Sequence, residues 1–245
     1  MTCDIGFVSP GEATSRGVFV TFEGGEGAGK STHVALLAEA LRASGREVVC
    51  LREPGGTRIG EQLRSVVLDP ENDEMADMCE LFVYEAARAQ LVREKIAPAL
   101  ARGAVVLCDR FCDSTVAYQA YGRGLDAAAV RRANDLACQG IAPDLTVVLE
   151  APSAASGLKR AEAVARPDRL ERAGEAFHER VNEAFRALAA TEPERMRLVT
   201  SLDSVEATAR MVFDHLEGLL PELSLDALLG FARAVDAQRS LESRR

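Results

Sequence analysis

The sequence predicts an α/β domain: a five-stranded parallel sheet flanked by helices on both faces. Three observations predict it. Five short apolar runs alternate with segments of helical periodicity, the pattern of strands joined by covering helices. The first run, residues 17–22, feeds straight into a glycine-rich loop that opens a helix. The chain of 245 residues, 47% of them hydrophobic, suffices for one large core of this kind.

The elements follow in order. Residues 17–22 read as a buried strand. Residues 32–42 carry Val34, Leu37 and Leu41 at helical spacing. Residues 46–51 form a second strand, 59–68 a short helix and 75–101 a long one that Gly103 stops. Residues 104–108 are a third strand, ended by Asp109, and 126–138 are helical. Residues 145–149 are a fourth strand, and 151–164 and 171–190 are helices around a basic loop. Residues 197–200 are a fifth, weak strand, and 204–219 a closing helix with Ser204 as its cap. Residues 1–16 read as a poorly ordered leader, 17–218 as the main domain and 219–245 as a helical extension.

The loop after the first strand is the strongest chemical signal. Gly24, Gly29, Lys30 and Ser31 fit G-x-x-x-x-G-K-[ST]. Glycines at 24, 25, 27 and 29 let the backbone turn so that its N–H groups cradle phosphate oxygens. The stretch Gly24, Gly25, Glu26, Gly27, Ala28, Gly29, Lys30, Ser31, Thr32 would hold nucleotide phosphates. Lys30 would reach the β- and γ-phosphates, and Ser31 would hold Mg²⁺. Asp109, at the third strand's end, is a second Mg²⁺ candidate, and Arg110 beside it offers a fork that matches phosphate oxygens.

In a parallel sheet, ligands bind beyond the carboxyl ends of the strands. Arg52 emerges there, before the tight turn Pro54-Gly55-Gly56. Tyr84 and Arg88 are four apart on one helix face, as an aromatic ring and a guanidinium that grip a base would be, although by spacing alone such pairs are usually surface packing. Ser114, Thr115, Tyr118 and Gln119 supply further hydrogen-bonding groups after Arg110. The basic segment from Lys159 to Arg169 reads as a lid able to close over phosphates.

Bulk properties narrow the partners. With Lys+Arg 29 against Asp+Glu 38 the net charge is −9, which argues against nucleic acid as the main partner. No apolar run reaches the roughly 18 residues of a membrane span, and residues 1–10 lack the basic and apolar regions of a signal peptide. The six cysteines form no C-x-x-C pair, so reduced, mostly buried thiols in a cytoplasmic protein are expected rather than a zinc site.

Taken together, the motifs resemble the thymidylate kinase family of P-loop kinases over about residues 17–215. The likeness rests on Glu-Gly-Gly-Glu-Gly-Ala-Gly-Lys-Ser-Thr at 23–32, Arg-Glu-Pro-Gly-Gly-Thr at 52–57 and Ala-Ala-Arg-Ala-Gln at 86–90. Asp-Arg-Phe at 109–111, Ser-Thr-Val-Ala-Tyr-Gln at 114–119 and Asp-Arg-Leu-Glu at 168–171 complete it. The resemblance implies a P-loop kinase fold with a helical lid at about 159–170, ATP and dTMP as substrates, Mg²⁺ as cofactor and a homodimer. It implies Arg52 and Arg110 at the acceptor phosphate, Arg88 at thymine, Tyr84 stacked on it, Glu26 near the sugar and Tyr118 crowding a ribose 2′-hydroxyl. Tyr84 stands where Phe is expected, and Glu162 and Val164 where lid arginines are expected. Because Gly27 rather than Arg follows Glu26, the lid should supply the catalytic cation, from Arg160, Arg166 or Arg169, with Arg166 preferred. The rival readings are another P-loop small-molecule kinase, such as a deoxynucleoside kinase, and a nucleotide-binding module without turnover. Neither N-K-x-D nor D-x-x-G occurs, against a GTPase.

Overall fold

The computed structural model describes residues 16–163 and 167–242. Of the expected leader, only Arg16 falls among them. Five strands form one sheet: β1 (Phe19–Glu23), β2 (Val48–Arg52), β3 (Val105–Asp109), β4 (Leu145–Glu150) and β5 (Met196–Thr200). Their order is β2-β3-β1-β4-β5, with every neighbouring pair parallel. β1 is central and buried along its whole length, whereas edge strands β2 and β5 are only partly covered.

The helices are α1 (Lys30–Ala43), α2 (Arg58–Leu68), α3 (Asp77–Leu91), α4 (Ala97–Ala101), α5 (Cys112–Thr115), α6 (Ala127–Cys138), α7 (Ala154–Glu162), α8 (Glu175–Thr191), α9 (Val205–Leu216) and α10 (Leu225–Glu242). On one face α1, α9 and α10 pack on the sheet through residues such as Leu37, Leu41, Val212 and Leu229. On the other, α3, α4 and α8 bury Leu91, Ile96, Leu100, Val181 and Phe185. Each such side chain contributes about 1.5–3 kcal/mol by leaving water. Thr57, Asp126, Ser153 and Ser204 cap α2, α6, α7 and α9 through their side-chain oxygens.

Three differences from the sequence expectation have local causes. The helix expected over 75–101 contains a π-helical stretch, Val92–Ile96, just before Pro98 enters the first turn of α4. The segment after Arg110 is helical, α5 running into a π-helix at Val116–Gly122, although its β-branched and glycine residues carry no clear helical period. The helix expected over 171–190 is a 3-10 turn (Glu171–Ala173) and then α8, divided at Gly174, whose φ of 90° suits glycine.

Candidate functional site

The carboxyl ends of the strands open into a cleft of about 850 Å³. At its centre β1 gives way to the glycine loop, in which Gly24, Gly27 and Gly29 have φ of 122°, 60° and 94°. The requirement for glycine is steric as well as conformational. A Cβ on Gly24 would lie 1.9 Å from the carbonyl oxygen of Leu149, and one on Gly27 2.0 Å from that of Gly157 in α7. Helix α7 therefore rests directly on the loop, and an arginine at position 27 would not fit beneath it.

Lys30 folds back over this loop, its Nζ donating to the carbonyls of Gly25 (2.6 Å) and Gly24 (3.2 Å). Burial, and next the Arg110 guanidinium, lower the Lys30 ammonium below the ordinary lysine range. Ser31 Oγ donates to Asp109 Oδ2, so the two expected Mg²⁺ ligands adjoin one another. A hydroxyl and a carboxylate are hard oxygen donors, and both line the cleft. They fit Mg²⁺, which takes few protein ligands and completes its shell with phosphates and water. No cluster of three or more His, Cys, Asp or Glu able to hold a metal occurs among the described residues.

Arg110 is the hub between the loop and the far side of the cleft. Among the described residues it is one of two non-glycine residues with positive φ, at 70°. Its Nη1 donates to Gly24 O (2.9 Å) and Ser114 Oγ (3.1 Å), its Nη2 to Glu26 Oε1 (2.7 Å), and it lies over the Tyr118 ring. Tyr118 also donates to Glu26 Oε1, at 2.6 Å. Burial alone would raise the Glu26 carboxyl, but Arg110, Lys30 and the Tyr118 hydroxyl together hold it at about 2. Beneath them, fully buried Glu23 accepts from Phe111 N (2.8 Å) and from Ser114. Burial first, then Asp113, raises Glu23 to about 7.

The expected acceptor residues all line the same cleft. Most are held by partners that sequence reading missed. Arg52 Nη2 pairs with both oxygens of Glu61 (2.9 and 3.1 Å). Arg88, 2% exposed, has every donor engaged: Glu53 at Nε (2.8 Å), Glu85 and Asn134 at Nη1, Phe111 O and Glu53 at Nη2. It therefore forms the cleft wall as the centre of a buried ion network, and Glu53 Oε1 is left without a hydrogen-bond partner among the described residues. Gln119 donates to Glu80 at 2.8 Å. Thr115 is buried against Glu85, and Tyr84 is half-buried with its hydroxyl unpaired among the described residues. Burial raises the Tyr84 phenol further above its ordinary value.

Arg166 lies outside the described residues. Arg169 is buried, donating to Val67 O at 2.9 Å and paired with Glu80, so it is a structural arginine rather than a free lid cation. Arg160 lines the cleft. So does Arg64, absent from the sequence reading, whose Nη1 donates to Pro54 O at 2.9 Å. Its signal was its place on α2, whose first turn follows the Arg52 loop.

A family model described as thymidylate kinase matches residues 22–212. Among curated relatives, the thymidylate kinase of Geobacter sulfurreducens is 50% identical over 211 residues, 84% of this chain and 99% of the relative. That of Pseudomonas fluorescens is 50% identical over 207 residues, 84% of this chain and 96% of the relative. A crystal structure of thymidylate kinase from Ehrlichia chaffeensis aligns with a TM-score of 0.68 at 30% identity, covering 83% of this chain and 99% of that one.

Proposed function

Since the chain belongs to the thymidylate kinase family, we propose that it transfers the γ-phosphoryl group of ATP to dTMP, giving dTDP and ADP for dTTP synthesis. One observation carries the reading at residue level. The phosphate loop and the Arg52–Arg64–Arg110 group line one continuous cleft, so a phosphate donor and a phosphate acceptor can meet in it.

An oxygen of the dTMP phosphate attacks the γ-phosphorus in line. A new P–O bond forms, the bond to the β,γ-bridging oxygen breaks, and ADP leaves. No general base is needed, because the attacking oxygen is already deprotonated. This separates the reaction from phosphorylation of a nucleoside hydroxyl, which wants a free carboxylate base. Glu23 is buried and fully hydrogen-bonded, and Glu26 is tied to Arg110 and Tyr118 at a value too low for a base.

Lys30 leaves the loop carbonyls for the β- and γ-phosphates, and Arg110, already oriented by Glu26 and Gly24, meets the acceptor phosphate. Ser31 and Asp109 would hold Mg²⁺, which when bound neutralises phosphate charge. The lid supplies a cation: Arg166 is the sequence candidate, and Arg160 is the one that lines the cleft. Tyr84 stacks on thymine. Arg88 presents its guanidinium edge to the base only by sharing donors with Glu53, Glu85 and Asn134. Tyr118, packed against Phe177 and Phe185, would crowd a ribose 2′-hydroxyl.

The protein acts as a cytoplasmic homodimer in this reading. No helix among the described residues is long and apolar enough to cross a membrane. Met78 (43% exposed) and Phe82 (61%) stand one turn apart on α3, with Val66 (47%) exposed on the adjoining α2, an apolar patch suited to self-association. Light scattering of Phe82→Glu should show monomer where the parent shows dimer.

Measuring ADP release with dTMP, dUMP, thymidine and other monophosphates tests the function. Turnover should be strongest with dTMP. Strong turnover of thymidine with none of dTMP would overturn the reading.

A further inference from the structure

The last helix, α10, lies beyond the residues that match the family model, 22–212. It is firmly seated. Leu220, Leu223, Leu228, Leu229 and Ala232 are buried in the core that also holds α1 and α9. Its Asp236 accepts from Ser204 Oγ (2.9 Å), Val205 N (2.9 Å) and Glu206 N (3.1 Å), and Arg233 pairs with Glu206 (3.2 Å). These bonds fasten the segment between β5 and α9, whose residues Ser201, Leu202, Asp203 and Val205 line the cleft. About one turn further along α10, Arg239 reaches the cleft itself. Its Nη2 donates to Thr32 Oγ1 at 3.4 Å, on the first turn of α1. No carboxylate among the described residues forms an ion pair with Arg239.

The sheet order says which part of a ligand lies here. Arg52 ends β2 and Arg110 follows β3, on one side of β1, whereas the 201–205 segment follows β5, on the other. A nucleotide whose γ-phosphate faces the acceptor arginines must run the opposite way, its α-phosphate and sugar passing Thr32 toward β5. The other cleft arginines at 52, 64, 88 and 110 lie on the acceptor side, and Arg160 belongs to the lid.

We propose that α10 is a wall of the ATP site, and that Arg239 binds the phosphate nearest the sugar of the donor nucleotide, with Asp236 holding the neighbouring segment in place. The proposal rests on the assignment of the phosphate loop to ATP. An exposed guanidinium set against the first turn of a phosphate-binding helix has a charge-assisted contact to offer, and its acidic neighbour Asp236, one turn back on α10, is itself taken up by Ser204, Val205 and Glu206.

The test compares the full-length protein with Arg239→Ala and Arg239→Lys, by calorimetric titration with ADP and with dTMP and by steady-state kinetics. Arg239 is exposed, so neither substitution disturbs the core. Arg239→Ala should weaken ADP binding and raise the KM for ATP about five- to tenfold. The dTMP affinity and kcat should stay within about twofold, and Arg239→Lys should restore part of the loss. Unchanged ADP affinity in Arg239→Ala, or an equal fall for ADP and dTMP, would overturn the proposal. A protein that loses ADP affinity in Arg239→Ala yet forms no dTDP would support it and refute the acceptor assignment instead.

Discussion

The two ends of the cleft are built by different means. At the donor end the binding groups are mostly backbone: a glycine loop, the first turn of α1, and a lysine resting on loop carbonyls five and six residues away. At the proposed acceptor end they are side chains, two of them fixed by carboxylates distant in sequence. Arg88 is held by Glu53, 35 residues away, and Arg110 by Glu26, 84 residues away. A backbone cradle is cheap to keep open because its donors point at a ligand or at water. A cluster of buried guanidinium groups is stable only while every carboxylate around it is paired. The donor end should therefore respond to mutation in rate, and the acceptor end in both rate and stability.

The largest expected effect breaks the donor end alone. Lys30→Ala should lower kcat by about a thousandfold or more while the melting temperature stays close to that of the parent. A kinetic assay with a thermal scan measures both, and retained activity would refute the role of Lys30.

Arg88→Ala strikes the acceptor end. It leaves Glu53 and Glu85 buried and unpaired, and should destabilise the protein by about 3–5 kcal/mol in denaturant unfolding besides weakening dTMP binding. A variant as stable as the parent would show that the network is not structural.

A smaller effect lies in pH. Glu23 goes from an ordinary value of 4.5 to about 7 on folding, through burial and then Asp113. A carboxyl raised on folding favours the protonated form. Its stabilising share is complete below about pH 4.5 and lost as pH rises through about 7. The melting-temperature difference between the parent and Glu23→Gln should therefore change across that window and level off above it. A difference constant across the window would contradict the assignment.

The smallest effect separates orientation from charge. Tyr118→Phe removes one hydrogen bond to Glu26 but leaves Arg110 in place, and should cost about 1 kcal/mol, seen as a several-fold change in kcat/KM for dTMP. A loss as large as that of Lys30→Ala would mean that the hydroxyl takes part in the chemistry.

The same contrast explains what the sequence makes legible. The glycine loop is read from ten consecutive residues because its physics is local. Arg52, Asp109 and Arg110 are placed because parallel strands put their carboxyl ends together. The partners are not legible. Nothing near Asp113 announces Arg195, which grips it through two nitrogens at 2.8 Å from 82 residues away. Nothing in Asp168-Arg169-Leu-Glu shows that Arg169 turns inward to Glu80. The helix at 112–122 hides because its π-helical part breaks the 3.6-residue period on which the reading depends. The loop spelling Glu26-Gly27 points to a lid cation, but the contact that demands glycine, the carbonyl of Gly157, appears only when α7 is folded over the loop.

If one cleft brings the γ-phosphate of ATP against the phosphate of dTMP, the nucleotide products of a reaction containing ATP, Mg²⁺, dTMP and thymidine will show it on separation. dTDP and ADP should form in equal amounts, both abolished in Lys30→Ala. New dTMP made from thymidine with no dTDP, or ADP released without any phosphorylated acceptor, would contradict it.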